Sequence, residues 1–255
     1  MKRLFMTIAA VMMAVTAVFA QGYGIKFDEL EVTPENASDI FGDGLASYNP
    51  ETNLLTLQDG FDYHLSKNFV VIGTGRDFGI RLEGNAEFYA SVDCWDNLYI
   101  EADEAYTLKM TANISGSALK CPNLTVNENV TLDLLSRNSS SALHALDCAG
   151  ELTVNKAVLL AEVTTARMAV AAQQMTLNGC WLKKPRGGGI NPNEGGICYA
   201  DGLPANQVQI LVEGFGIEEN EGSNDGEGVI KVFEDGQIFI IREGKRYNVM
   251  GQEIR

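Results

Sequence analysis

Histidines, cysteine pairs and basic side chains are scarce in this sequence, and each shortage excludes a kind of chemistry. The two histidines, His64 and His144, lie far apart in the chain, and none of the five cysteines belongs to a C-x-x-C pair. Common zinc sites and thioredoxin-like redox sites are therefore not indicated. Nineteen basic residues stand against 34 acidic ones, and a net charge of −15 disfavours nucleic acid and anionic lipid as partners.

Long apolar runs are also absent beyond the N-terminus. Lys2 and Arg3 precede an apolar stretch over residues 5–18, and Ala20 ends a segment of small residues that suits cleavage. The stretch is shorter than the roughly 20 apolar residues that a membrane-spanning helix needs. Residues 1–20 are therefore predicted to be a cleavable signal peptide, and the mature protein is expected to be secreted or to lie on the outer cell surface.

A four-residue phrase recurs through the middle of the chain at intervals of 18 to 28 residues. Its first and third residues are apolar, which fits the buried face of a strand, and its second residue is often Thr. Its fourth residue is often Asn, which we interpret as a turn residue with left-handed backbone. The copies begin at Leu55, Ile80, Leu98, Leu124, Leu152 and Met175.

Repeats of this length predict a solenoid in which stacked coils bury one continuous apolar column. We predict an all-β fold, a right-handed parallel β-helix over residues 21–214, with an N-terminal cap that includes a turn or short helix start at 33–40. An acidic, glycine-rich linker is predicted over 215–228 and a small β-meander over 229–255. A leucine-rich repeat, whose longer framework is absent, and a β-sandwich are the rival folds.

The cysteines and a glycine-rich segment allow two further interpretations. Cys94, Cys121 and Cys148 are spaced by 27 residues, which would align them on successive coils. We interpret them as small buried core residues rather than as disulfides or metal ligands. The glycine-rich segment 184–206 lacks the residue order of a phosphate-binding loop, so we interpret it as a flexible excursion.

Two parts of the chain resemble known families. The tail 231–255, above all Tyr247-Asn-Val-Met-Gly-Gln-Glu253, resembles the C-terminal sorting tails of proteins exported by type IX secretion. That resemblance implies that 229–255 meets the secretion machinery, and a plain end-cap is the alternative. The body, through Ser47-Tyr-Asn-Pro-Glu-Thr-Asn-Leu-Leu-Thr-Leu57 and the L-T-V-N repeats, resembles secreted bacterial β-helix repeat proteins of the carbohydrate-binding-domain-containing type. This second resemblance implies a polysaccharide or cell-surface glycan as partner but assigns no binding residue.

One segment carries the candidate ligand-binding residues. If Leu98 points inward, Trp95, Asn97, Tyr99 and Glu101 lie on the outward side of the same strand. Two aromatic rings beside an amide and a carboxylate are the usual ingredients of a sugar site. The alternative is that the two rings pack under a loop or line an oligomer contact.

A calcium site and catalysis are weaker hypotheses. The acidic residues Asp93, Asp96, Asp103 and Glu104 lie close to the same segment, and Ca²⁺ prefers clustered oxygen ligands, but no known calcium-loop spacing is present. No metal site, other cofactor or catalytic residue is predicted. The favoured function is a non-catalytic extracellular binding or adhesion protein. A β-helix polysaccharide lyase or hydrolase and a structural or host-interaction surface protein are the alternatives.

Overall fold

The structure, a computed structural model, describes residues 22–64, 69–113, 116–137, 144–165 and 167–213, and the backbone of four short strands between 229 and 254. The predicted signal peptide and the predicted linker lie outside the described residues. The chain forms two compact units, Met1–Glu213 and Gly214–Arg255. Every regular element in the described part is a β-strand.

Three sheets build the first unit, and they are called A, B and C here. Sheet A has the order β2 (Leu30–Glu31), β1 (Ile25–Phe27), β6 (Phe69–Ile72), β9 (Ser91–Cys94), β12 (Leu119–Cys121), β15 (Leu146–Cys148), β18 (Val170–Ala171), β22 (Gly196–Cys198), β21 (Gly189–Asn191). Sheet B has the order β19 (Gln174–Asn178), β16 (Glu151–Asn155), β13 (Leu124–Val126), β10 (Leu98–Ala102), β7 (Phe78–Glu83), β4 (Leu54–Gln58), β3 (Ala46–Asn49). Sheet C has the order β20 (Cys180–Lys184), β23 (Gln207–Val212), β17 (Val158–Val163), β14 (Val130–Ser136), β11 (Tyr106–Ala112), β8 (Ala86–Phe88), β5 (Phe61–Tyr63).

Successive strands visit sheets B, C and A in turn, so that each group of three makes one coil. From β4 to β18 five such coils stack, and each strand pairs in parallel with its counterparts on the neighbouring coils. Parallel pairing between elements 20 to 28 residues apart is the arrangement expected of a solenoid. The prediction of an all-β parallel β-helix is confirmed, and the rival folds are excluded.

The repeated phrase forms the strands of sheet B. Leu98, Leu124, Leu152 and Met175 lie in register with one another, as their shared position predicted. Leu98, however, pairs with Phe78 rather than with Ile80, so the predicted alignment is wrong by two residues at that step. The apolar pattern survives the slip because side chains alternate with a period of two, and a shift by two keeps each one on its own face.

The core is the column enclosed by the inward residues of the three sheets. In β14 the exposure alternates residue by residue, and Leu132 and Leu134 are fully buried. Full burial of such a side chain contributes about 1.5–3 kcal/mol. At the N-terminal end the column is filled by aromatic rings, with Phe27 5.0 Å from Phe41 and 5.3 Å from Tyr63 between ring centroids.

Antiparallel strands close both ends of the solenoid. At the first coil β1 lies on β6 and β3 lies on β4, and at the last coil β22 lies on β18 and β23 lies on β17. The segment 33–40 is a turn, in which the carbonyl of Thr33 accepts from the N–H groups of Asn36 and Ala37. These strands cover the solenoid at both edges of sheet A, at the first edge of sheet B and at the last edge of sheet C, where the parallel strands would otherwise offer unpaired backbone groups to another chain.

The glycine-rich segment 184–206 is ordered, so its interpretation as a flexible excursion is wrong. It contains the hairpin of β21 and β22, which pairs with β18. Two of its glycines, Gly188 and Gly196, allow close approach of neighbouring chain segments. A Cβ atom at Gly196 would collide with the side chain of Met168 and the carbonyl of Val170.

The fourth-position asparagines form a ladder, and the interpretation of these residues as left-handed turn residues is wrong. The Nδ2 atom of Asn155 donates to Oδ1 of Asn127 at 3.0 Å, and Asn178 donates to Asn155 at 2.7 Å. The left-handed residues near these turns are Asn129, Lys156 and Gly179, with φ of 68°, 45° and 65°. The amides therefore bridge neighbouring coils instead of closing their own turn.

The second unit is an antiparallel meander of β24 (Val229–Glu234), β25 (Gln237–Arg242), β26 (Lys245–Asn248) and β27 (Glu253–Ile254). These strands agree with the predicted β-meander over 229–255.

Candidate functional site

The candidate ligand-binding residues lie where β9 of sheet A turns into β10 of sheet B. Leu98 is only 2% exposed, so it points inward as predicted, and Tyr99 and Glu101 alternate with it on the outward face. Trp95 and Asn97 precede β10 and belong to the turn, so they do not lie on the same strand as predicted. We call the surface formed by Trp95, Tyr99 and the two glycines beneath them, Gly73 and Gly79, the corner surface.

Trp95 is 66% exposed, the highest exposure of any large apolar side chain in the described residues. Its backbone N–H donates to the carbonyl of Ile72 on the preceding coil at 2.8 Å. Its ring lies on Gly73, where an added Cβ atom would come within 2.9 Å of Cε3. The absence of a side chain at Gly73 thus gives the indole ring a backbone support while the rest of the ring faces solvent.

Tyr99 is supported in the same way one strand further on. Its phenol covers Gly79, where any added Cβ atom would collide with the ring and with the side chain of Leu54. Burial, followed by the carboxylates of Glu101 and Asp77, raises the pKa of Tyr99. The hydroxyl therefore stays protonated at neutral pH and can donate a hydrogen bond.

Asn97 and Glu101 are held by protein partners. Nδ2 of Asn97 donates to Asp77 at 2.9 Å, and its Oδ1 accepts from Asn123 at 2.8 Å. Glu101 lies 3.4 Å from Arg81, which also pairs with Asp103. Of the four predicted residues, the two aromatic ones are the more available to a ligand.

The four acidic residues proposed for calcium have separate partners. The carboxylate of Asp96 accepts from the N–H of Thr74 at 2.6 Å and from that of Gly75 at 3.2 Å, which stabilises the turn that follows Gly73. Asp103 pairs with Arg81, and Glu104 accepts from the hydroxyl of Tyr106 at 3.1 Å. Asp93 lies in sheet A in register with Lys120. Within the described ranges no three acidic, cysteine or histidine side chains converge as metal ligands do.

A row of ionisable residues crosses the outer face of sheet C, and the sequence analysis missed it. Lys109 lies in register with Glu87 on one side and Asp133 on the other, and its Nζ atom is 2.7 Å from Oε1 of Glu87. The hydrogen bond to Glu87 raises the pKa of Lys109, and burial raises the pKa of Asp133. Only the inter-coil register brings these three residues together, since they are 22 and 24 positions apart.

The three evenly spaced cysteines stack as their spacing suggested. Cys121 lies in register with Cys148, and the adjacent pairing places Cys94 next in the same row. All five cysteines are buried free thiols, which agrees with their interpretation as core residues. Burial raises the pKa of Cys94 to about 12.

Comparisons of the chain with protein-family models, with curated proteins and with solved structures found no match. The described part of the chain contains no helix of the length and apolarity needed to cross a membrane.

Proposed function

We propose that this protein is an exported, non-catalytic binding protein whose corner surface binds a glycan chain. The observation that carries the proposal is the exposed indole of Trp95, held on Gly73 at the turn between sheets A and B. An exposed indole beside a second aromatic side chain offers apolar surface on which a ligand can pack.

A glycan suits the chemistry of this surface. A sugar ring has an apolar C–H face that packs on an aromatic ring, and hydroxyls at its edge that need hydrogen-bond partners. Trp95 offers the ring, and the protonated hydroxyl of Tyr99 offers a donor. The acidic balance of the chain favours a neutral glycan over an anionic one.

Substitution of the two aromatic residues tests the proposal. Trp95→Ala and Tyr99→Ala should each weaken binding on a glycan array by about tenfold, the effect of losing one aromatic contact of about 1.4 kcal/mol. Gly73→Val should act like Trp95→Ala because it displaces the indole ring. Trp181→Ala, on another face and 36% exposed, is the matched control.

The array is screened with and without Ca²⁺, so that a calcium-dependent ligand is also detected. Unchanged binding by the Trp95→Ala/Tyr99→Ala double variant would remove the corner surface as the site. A complete absence of glycan binding by the wild-type protein would leave the structural or host-interaction function in its place.

Export and sorting belong to the same proposal. The apolar N-terminus supports export, and the tail 229–255 supports a second crossing by the type IX route. Deletion of 229–255 should then retain the protein in the periplasm, measured by fractionation and surface labelling. Normal surface display after the deletion would assign the second unit to end-capping instead.

A polysaccharide lyase or hydrolase is the second candidate, favoured by the row of Glu87, Lys109 and Asp133. Two strand spacings place the two carboxylates roughly 9–10 Å apart, close to the roughly 6.5–9.5 Å separation of inverting glycosidases. A Lys whose pKa is raised by an ion pair is, however, a poor proton acceptor. Product release from neutral or acidic polysaccharides, lost in Glu87→Gln, would replace the binding proposal with this one.

A further inference from the structure

A pocket that is largely open to solvent lies at the C-terminal end of the solenoid and shares no residue with the corner surface. It is a pocket of about 420 Å³ between the strand β21, with the glycines before it, and the turn that follows β22. Small-molecule sites in proteins begin at about 300 Å³. The pocket is therefore large enough for a short saccharide or a molecule of similar size.

The floor of the pocket is backbone. A Cβ atom at Gly189 would meet no other atom within 4 Å, and one at Gly187 would lie 3.8 Å from the side chain of Ala200. Any larger residues here would fill the cavity. Glycines also leave the backbone N–H and C=O groups accessible, and these groups fix the orientation of a polar ligand.

Two side chains on the walls complete the set of contacts. The hydroxyl of Tyr199 donates to Oδ1 of Asn206 at 2.6 Å, which holds a ring that is 40% exposed. Oδ1 of Asn191 accepts from the N–H of Asn193 at 3.1 Å, while its Nδ2 has no hydrogen-bond partner in the part of the chain that is described. The pocket thus combines a fixed aromatic ring with a free amide donor.

The rim has an apolar edge. Leu203 is 63% exposed, and its carbonyl accepts from the N–H of Tyr199 at 2.8 Å, so the two side chains flank one short turn. Tyr199 lines the pocket and Leu203 follows the lining residue Gly202, so two of the five large apolar side chains that are exposed in the described ranges belong to this turn. Such clustering distinguishes a binding surface from singly scattered apolar residues.

The charges around the pocket and in its lining indicate the charge of the ligand that it can bind. None of the lining residues carries a charge, and the carboxylates of Glu194 and Asp201 are close enough to contribute to the raised pKa of Cys198, after burial. Arg186 directly precedes the lining residue Gly187, so charges of both signs surround the pocket, and the uncharged lining itself favours a neutral ligand. A neutral, hydroxyl-rich ligand with one apolar face satisfies the ring, the amide and the open backbone groups together.

We propose that this pocket is a second ligand site, distinct from the corner surface, that binds a neutral mono- or disaccharide. Tyr199 stacks on the apolar face of the sugar, Asn191 donates to a hydroxyl, and the backbone around Gly189 supplies the remaining polar contacts. The site does not depend on the proposed function, because it shares no residue with the corner surface.

Saturation-transfer difference NMR and calorimetry test the proposal with glucose, galactose, mannose, N-acetylglucosamine and cellobiose as probes, and with glucuronate as the anionic comparison. At least one neutral probe should bind the full chain, and glucuronate should bind more weakly. Gly189→Leu should abolish that binding, since a Leu side chain fits the open space without a left-handed backbone to strain it.

Tyr199→Ala should weaken binding by about tenfold, and Tyr199→Phe should retain it because the ring remains. Trp95→Ala should leave binding of these short probes unchanged, while it weakens binding on the glycan array. The two proposals can therefore fail separately. The pocket proposal is overturned if no neutral probe binds, or if both Gly189→Leu and Tyr199→Ala bind as the wild type does.

Discussion

Antiparallel strands close both ends of the solenoid, but the residues behind those strands are large aromatic side chains at one end and glycines at the other. Antiparallel strands terminate the parallel sheets at both ends. At the N-terminal end the interior behind those strands is packed with aromatic rings, among them Phe27 and Tyr63. At the C-terminal end glycines line the surface, and Tyr199 and Leu203 are exposed around a pocket.

This difference separates two tasks that a terminal segment can perform. An end filled with large buried side chains contributes stability, since each ring removes a large apolar area from water. An end lined by backbone contributes less apolar burial but leaves a concave surface with accessible polar groups. Substitutions at the first end should therefore affect folding, and substitutions at the second should affect binding.

The largest expected effect is at the aromatic end. Phe27→Ala should reduce the free energy of unfolding by about 3–5 kcal/mol, because Phe27 is fully buried against two rings and the cavity left behind cannot collapse completely. Urea denaturation followed by circular dichroism measures the change. Leu203→Ala at the opposite end, as the matched control, should change the stability by less than about 0.5 kcal/mol. Equal losses for the two variants would show that the ends do not differ in this way.

Asn53 near the N-terminal end and Asn191 at the C-terminal pocket extend the comparison of the two ends to polar side chains. Asn53 is 2% exposed, accepts from the hydroxyl of Tyr48 at 2.5 Å and donates to the carbonyl of Asp77 at 2.7 Å. Asn53→Ala should cost about 1–3 kcal/mol because it leaves buried partners unsatisfied. Asn191→Ala should have little effect on stability but should weaken saccharide binding.

A second substitution at the same position separates the hydrogen bonds from the backbone. Asn53 has φ of 57°, a left-handed conformation that glycine adopts freely. Asn53→Gly and Asn53→Ala remove the same hydrogen bonds, but glycine adopts the left-handed φ freely and alanine does not. Both variants are measured by urea denaturation, and the difference between them gives the cost of the left-handed backbone for a residue with a side chain; equal stability of the two variants would show that this φ contributes nothing.

The coils could be predicted from the sequence, and the ends could not, for a physical reason. Alternation in segments such as Leu124-Thr125-Val126 reports which side chains are buried, and that is a local property of a strand. The closing strands depend on what lies on the neighbouring coil. Gly196 looks flexible in the sequence, but its role is set by Met168 and Val170, which are 28 and 26 residues away.

The candidate site also has one part that the sequence predicts and another part that depends on the neighbouring coils. The outward direction of Tyr99 followed from the buried Leu98, so one part of the site was accessible to sequence reasoning. The glycines beneath the two rings, and the partners of Asn97 and Glu101, come from the neighbouring coils. A two-residue slip in the register between Leu98 and Phe78 is invisible to periodicity, so these neighbours could not be assigned.

The smallest expected effect compares two thiols as a function of pH. Burial raises the pKa of Cys94 to about 12 from its ordinary value of 9.0, whereas Cys198 beside the C-terminal pocket is raised by a smaller shift. A raised pKa means that the folded protein holds the proton more tightly than the unfolded chain does. The contribution of Cys94 to stability is therefore complete below pH 9 and is lost as the pH rises towards 12.

Urea denaturation at pH 8 to 10.5 under reducing conditions measures this contribution. The wild-type protein should lose up to about 1.4 kcal/mol per pH unit above pH 9 through Cys94 alone. Cys94→Ala removes the thiol, so its stability should fall less steeply over the same interval, and Cys198→Ala should flatten the profile less. Parallel profiles for the wild type and Cys94→Ala would mean that the Cys94 thiol ionises as readily in the folded protein as in the unfolded chain, and that the core beside the corner surface admits water.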